Sequence, residues 1–222
     1  MRAFAKRLQR NLLDLTPFRR FVVPRYQYSF SPAQLSFLNT KFRESHDIQG
    51  ISVEIGCFTG ATTVFLNANY RYGLQTRDYH AVDTFNGFTP ASIQHEKAVR
   101  GKDLSNIDNA TLFSMNSQAR FDYTMRLNGF SHVASHRMDA EKISRWQLPN
   151  AISFCLIDVD LYLPTLRSLE FVIAHLAPGG IVLVDDCIKD SAFDGSLQAL
   201  HEAATKHGRN YTVHEGKIGI LD

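Results

Sequence analysis

The feature that most constrains this chain is the alternation, from Gly50 onward, of short apolar β-branched runs with helix-like segments. Residues 51–55 (ISVEI), 79–83 (YHAVD), 131–138 (SHVASHRM), 152–158 (ISFCLID) and 181–186 (IVLVDD) read as strands. Residues 59–70 read as a helix. Another begins near Pro164, with Leu166, Leu169, Ile173 and Leu176 on one face, and stops at Pro178-Gly179-Gly180. A third covers 196–208, with Gly208 as its stop. Strands separated by helices imply right-handed crossovers and a parallel sheet covered on both faces. Runs 152–158 and 181–186 stay apolar until their last positions, as central strands do. The chain closes with 211–214 and 217–221 around Glu215-Gly216, a hairpin that adds an antiparallel edge. The expected fold is therefore α/β: a doubly wound seven-stranded sheet, mostly parallel, with a C-terminal antiparallel hairpin.

A chain of 222 residues fits one large domain and buries enough surface to fold without disulfides or metals. Its 24 Lys+Arg against 22 Asp+Glu give no strong field for a polyphosphate, which argues against a nucleic-acid partner. With 44% apolar and 11% aromatic residues, it is not a disordered chain. Cys57, Cys155 and Cys187 are odd in number, widely spaced and set beside apolar runs, which suits a reducing cytoplasm. No apolar stretch approaches the ~20 residues of a membrane span, and the first 23 residues lack the apolar core of a secretory signal.

Those first residues carry a pattern of their own. Phe4, Leu8, Leu12 and Leu15 recur at helical spacing opposite Arg2, Lys6, Arg7 and Arg10. Such a helix suits a membrane surface, a partner subunit or the chain's own domain. A second helix starts at a capping box, Ser31 with Gln34 and Pro32 between them, and should run to about Ser45. The expected organisation is an N-terminal helical arm, 1–49, and a ligand-binding domain, 50–222. Within that domain the long connection 84–112 is the candidate lid.

Open parallel sheets bind ligands beyond the carboxyl ends of their strands, so the residues there are the candidates. Strand one ends in Glu54-Ile55-Gly56-Cys57-Phe58-Thr59-Gly60, where two glycines permit a tight turn and a close backbone approach. Helix N–H groups follow that could meet an anion. Strand two ends in Asp83, suited to a ribose diol. Strand three ends in Asp139, suited to an adenine edge or, equally, to a helix N-cap. Strands four and five end in Asp158-Val159-Asp160 and Asp185-Asp186. Carboxylates converging there repel unless a cation or protons intervene. An all-oxygen set is what a hard divalent ion such as Mg²⁺ selects.

Taken together, V-E-I-G-x-x-x-G, V-D-T-F-N-G-F, I-D-V-D-L-Y-x-P-T and P-G-G-I-V-L-V-D-D resemble the macrocin O-methyltransferase group. That group lies within the class I methyltransferases that use S-adenosylmethionine (SAM), which have a Rossmann-like fold. The resemblance spans about residues 50–190. It implies Mg²⁺-dependent methylation of a hydroxyl on a sugar or other small natural product. It further implies that Glu54, Gly56, Cys57 and Gly60 hold the methionine part of SAM. Asp83 and Thr84 would take the ribose, Asp139 and Ala140 the adenine, and Asp158 would complete the cofactor site. Asp158, Asp160, Asp185 and Asp186 would supply the metal ligands. This chain departs from the common pattern at Cys57-Phe58-Thr59, where a middle glycine is frequent, and at Cys187, where an aromatic residue is usual.

A hydroxyl is a poor nucleophile until a metal lowers its pKa and a base removes its proton. Asp160 is the expected base, with His95 and Glu96 on the lid as further candidates at the acceptor side. Phe85, Phe88 and Trp146 would line the pocket or pack in the core. Three rival readings remain: a metal-independent SAM methyltransferase, an NAD-dependent oxidoreductase and a non-catalytic module that binds a partner through its basic N-terminus. The missing G-x-G-x-x-G counts against the oxidoreductase. A small-molecule acceptor must be bound by the lid, the N-terminal helices or a second subunit, and the N-terminal arm is the expected contact of a homo-oligomer.

Overall fold

A computed structural model describes Thr16, Tyr26 and residues 28–104 and 108–222. The basic amphipathic helix expected before residue 23 therefore lies, Thr16 apart, outside the described residues. Seven strands form one sheet: β1 (Ile51–Ile55), β2 (Tyr79–Asp83), β3 (Val133–Arg137), β4 (Ile152–Ile157), β5 (Leu176–Val184), β6 (Tyr211–His214) and β7 (Ile218–Leu221). Their order is β3-β2-β1-β4-β5-β7-β6. The first five strands pair in parallel, whereas β7 is antiparallel to both β5 and β6. The order reverses between β1 and β4, and at such a switch point the connecting loops diverge and leave a crevice.

Helices cover both faces. On one lie α1 (Pro32–Glu44), α2 (Ala61–Asn67) and α5 (Gln118–Leu127). Leu35, Leu38 and Phe42 of α1 pack there with Tyr79, Phe154, Leu156 and Leu183. The other face carries α6 (Tyr162–His175), α7 (Gly195–Lys206) and a 3-10 turn, Ala140–Arg145. Leu169, Val172, Leu200 and Ile143 meet the opposite side chains of the same strands. The predicted capping box is present: Ser31 Oγ accepts from Gln34 N at 3.2 Å and Gln34 Oε1 from Ser31 N at 2.8 Å. The helix so started, grouped by sequence with the arm, is part of the main apolar layer.

Two local readings change. The connection 84–112 carries a nine-residue helix, α3 (Pro90–Ala98), and a short one, α4 (Asn109–Leu112). The helix expected to end at Pro178-Gly179-Gly180 stops at His175, and β5 begins at once. Those three residues fill an irregularity in the β4–β5 register.

Candidate active site

A cavity of about 370 Å³ opens beyond the carboxyl ends of β1, β2 and β4. Gly56, Asp83, Thr84, Asp139, Ala140, Asp158 and Asp160 of the predicted set all line it. Four residues forced into positive φ follow strand ends there: Phe58 at 47°, Phe85 at 50°, Asp160 at 61° and Asp186 at 56°. Non-glycine residues rarely adopt this conformation, and such strain collects at functional sites.

The glycines act mainly by making room. A Cβ on Gly56 would stand 1.8 Å from the Asp158 carbonyl oxygen, so only glycine lets the chains leaving β1 and β4 pass so closely. Gly60, with φ of +88°, starts α2, and a Cβ there would meet Met125 and Phe121. Its left-handed backbone calls for glycine, and the packing against Met125 and Phe121 adds to that need.

Glu54 and Asp83 are placed differently from expectation. Alternation sends Val53 and Ile55 to one face of the sheet and Glu54 to the other. Glu54 is buried away from the cavity wall, and its Oε2 accepts from Thr63 at 2.6 Å and Tyr79 at 2.8 Å. Burial raises its pKa to about 7 against these two hydrogen bonds. Asp83 faces the cavity, but its oxygens are heavily engaged. Oδ2 accepts from the backbone N–H groups of Cys57 and Phe58, at 3.0 and 2.9 Å. Oδ1 accepts from Phe85 N at 2.7 Å and Asn116 Nδ2 at 3.0 Å. Asp83 thus ties three loops together, and Cys57 contributes through its backbone while its thiol is buried.

Asn116 is a cavity residue that sequence reasoning missed. Its Oδ1 is buried without a hydrogen-bond partner, and the Asp83 contact fixes which end of the amide is oxygen. Asp139 lines the cavity and caps the 3-10 turn, accepting from Glu141 N at 3.0 Å. Thr84 donates to Gly87 O at 2.7 Å.

The acidic residues separate into three and one. Oxygens of Asp158, Asp160 and Asp186 lie within 4.8 Å of one another. Asp185 instead turns to Lys217, 3.0 Å away, whose ammonium also reaches Asp186 at 3.0 Å and lies over the Phe30 ring. Burial, reinforced by neighbouring carboxylates, pushes Asp158 and Asp160 well above the usual range, and Asp185 to about 6. For Asp160 the main partner is Asp186, through a shared hydrogen bond and its charge. Burial opposes the charge on Lys217, yet Asp185 and Asp186 together hold it above its ordinary value. Three adjacent oxygen donors, two of them opening on the cavity, form a set that fits a small divalent cation.

His95 and Glu96 lie outside the cavity wall. The His95 ring stacks on Tyr162 at 5.4 Å. Glu96 accepts from Tyr162 N at 2.7 Å, capping α6, and pairs with Arg100. Phe85 is core, Phe88 lines the cavity, and Trp146 packs against the core beside His80, His136 and Phe171.

The methyltransferase-domain family matches residues 53–187, which include the carboxyl ends of β1 to β5. The chain belongs to this family. It is a class I methyltransferase, of the kind that takes its methyl group from SAM. A search of curated proteins finds no match. Among solved structures, the O-methyltransferase NovP superposes with a TM-score of 0.75 at 15% identity, over 89% of this chain and 82% of that one. The calicheamicin methyltransferase CalS11 gives 0.65 at 18%, over 97% and 90%. An O-methyltransferase from Bacillus cereus, in complex with SAH, gives 0.53 at 13%, over 91% and 84%. At these identities the likeness is one of fold.

Proposed function

We propose that this methyltransferase transfers the SAM methyl group to a hydroxyl of a small molecule, with Mg²⁺ held by Asp158, Asp160 and Asp186. The observation that carries this reading is the three-carboxylate cluster, two members of which line the cavity bounded by the ends of β1, β2 and β4. The O-methyltransferase fold relatives support it. One relative, CalS11, is described as a TDP-rhamnose 3′-O-methyltransferase, so a sugar is one acceptor this fold accommodates.

In this reading SAM lies between Gly56 and the Asp139–Ala140 turn. The unpartnered Asn116 Oδ1 accepts from a ribose hydroxyl, because the Asp83 oxygens already serve the loops. The acceptor oxygen attacks the methyl carbon in line. Bound SAM would supply the methyl carbon and take back the carbon–sulfur electron pair, leaving as S-adenosylhomocysteine (SAH), and the hydroxyl proton passes to Asp160. Without a cation, burial and Asp186 raise the proton affinity of Asp160; a cation bound there would oppose that rise and keep the carboxylate ionised, ready to accept the proton. Bound Mg²⁺ would supply Lewis acidity that lowers the hydroxyl pKa. Much of the remaining catalysis is positioning by the strained loops.

A second reading follows from Lys217, which already neutralises part of the acidic edge: methyl transfer without a metal, with Asp160 as a simple base. Calorimetric titration with SAM, SAH and NAD, each with and without Mg²⁺, separates these possibilities. SAM and SAH are expected to bind and NAD not to; NAD binding without SAM binding would overturn the proposal. Loss of turnover on chelation, restored by Mg²⁺, is expected. Full activity in chelator would favour the metal-free reading.

A further inference from the structure

Four phenylalanines from four different segments form one chain of ring contacts along the cavity wall. Phe58, after β1, meets Phe113 edge to face at 5.9 Å; Phe113 meets Phe88 at 4.7 Å; Phe88 meets Phe193, just before α7, at 6.1 Å. All four residues line the cavity, and none is fully buried. Phe193 lies in the segment that leads to Ser196, whose hydroxyl donates to the Asp160 carbonyl at 3.2 Å. The aromatic wall and the carboxylates of Asp158 and Asp160 thus line the same cavity.

Most polar side chains around this wall are already engaged within the protein. Thr84 is committed to Gly87 O, and Asp83 to Cys57, Phe58, Phe85 and Asn116. Thr89 is bonded to Ser92, Ser92 to Glu141, and Asp139 to Glu141 N and Lys142. Ser29 is solvent-exposed. Apart from Asn116 Oδ1, set beside Asp83, the polar focus among the described residues is the acidic cluster itself. A saturated sugar carries hydroxyls around its whole ring, and each one buried against phenylalanine would lose its water without replacement. A flat aromatic ring with hydroxyls on one edge matches both features: a polar edge for the carboxylates and π-faces for the phenylalanines.

We infer that the acceptor is a hydroxylated aromatic ring of the phenol or catechol class, held by Phe88 and Phe193 with its hydroxyl edge toward Asp160. This rests on the O-methyltransferase reading above.

The test compares 4-methylcatechol with methyl α-L-rhamnopyranoside, both of which offer adjacent hydroxyls. Phenolic oxygens are intrinsically easier to methylate, so binding decides: calorimetry on the enzyme preloaded with SAH and Mg²⁺, with mass-spectrometric detection of methylated product alongside. The catechol is expected to bind at least about tenfold more tightly and to be methylated. Phe193→Leu and Phe88→Leu should each weaken it about fivefold or more while leaving SAH affinity unchanged. Equal or tighter binding of the rhamnoside overturns the inference, as does failure of the catechol to bind an enzyme that takes up SAH. An enzyme that takes up neither SAM nor SAH would instead overturn the methyltransferase-site assignment on which the inference rests.

Discussion

Glu54 illustrates how one residue can be flagged for the right neighbourhood and placed on the wrong side. Its position next to Gly56 suggested a cofactor contact, but the two-residue period of β1 puts it under α2, bonded to Thr63 and Tyr79. Its pKa is about 7 in the fold against an ordinary 4.5. A raised carboxyl pKa means that the folded state holds the proton longer than the unfolded chain does. Stability is then fully present below about pH 4.5, declines as pH rises, and levels off above about pH 7. The cost at neutral pH is about 3 kcal/mol. Glu54→Gln keeps an acceptor for both hydroxyls and removes the titration. Urea unfolding at pH 4.5 and pH 7.5 should show a marked decline for the wild type and a clearly smaller one for the variant, in which the raised carboxyls of Asp158, Asp160 and Asp185 still titrate. Asn116 and the strained Phe58, Phe85, Asp160 and Asp186 carry no comparable local signal. An unpartnered amide oxygen and a positive φ exist only once the loops are packed together.

Among the elements, the sheet was legible because buried strands must be apolar, and α1 because its cap residues are diagnostic. Helix α3 was not, and its composition explains why. The residues it buries are Ser92 and Glu96, so PASIQHEKA shows no apolar stripe to read. Polar contacts hold it instead. Glu96 caps α6 through Tyr162 N and pairs with Arg100, and Arg100 also bonds Asp194 at 2.7 Å, ahead of α7. Lys102 pairs with the same Asp194. The segment is thereby latched to the two helices that flank the acidic edge. Arg100→Ala leaves the buried Glu96 without its cation, a change of the kind that costs about 3–5 kcal/mol. Denaturant unfolding should register that loss. Hydrogen exchange should show 90–104 losing protection ahead of β4 and β5. Should those amides stay as protected as the strands, the ion pairs would not be what holds the segment.

Across the whole molecule, the sheet order brings together residues that are remote in sequence. The C-terminal hairpin inserts β7 beside β5 and carries Lys217 to the carboxylates at the end of β5. No spacing pattern links Lys217 with Asp185 and Asp186, so only the closed topology shows that the acidic edge has its own ammonium. That ammonium and a divalent cation act on the same charge. A ligand that binds only the folded state stabilises it by mass action, about 2.7 kcal/mol at a hundred times Kd, or roughly 5–10 °C for a chain of this size. Thermal unfolding in chelator and then in excess Mg²⁺ should show a rise on this scale, and Asp186→Asn should abolish most of it. Lys217→Met provides the sharper check. With the competing positive charge removed, the metal-free protein should melt lower, because Asp185 is left buried without its partner. Mg²⁺ should then bind more tightly and recover more of the lost stability than in the wild type. A Lys217→Met protein that melts lower but gains no more from Mg²⁺ than the wild type would mean that the cation does not sit among Asp158, Asp160 and Asp186.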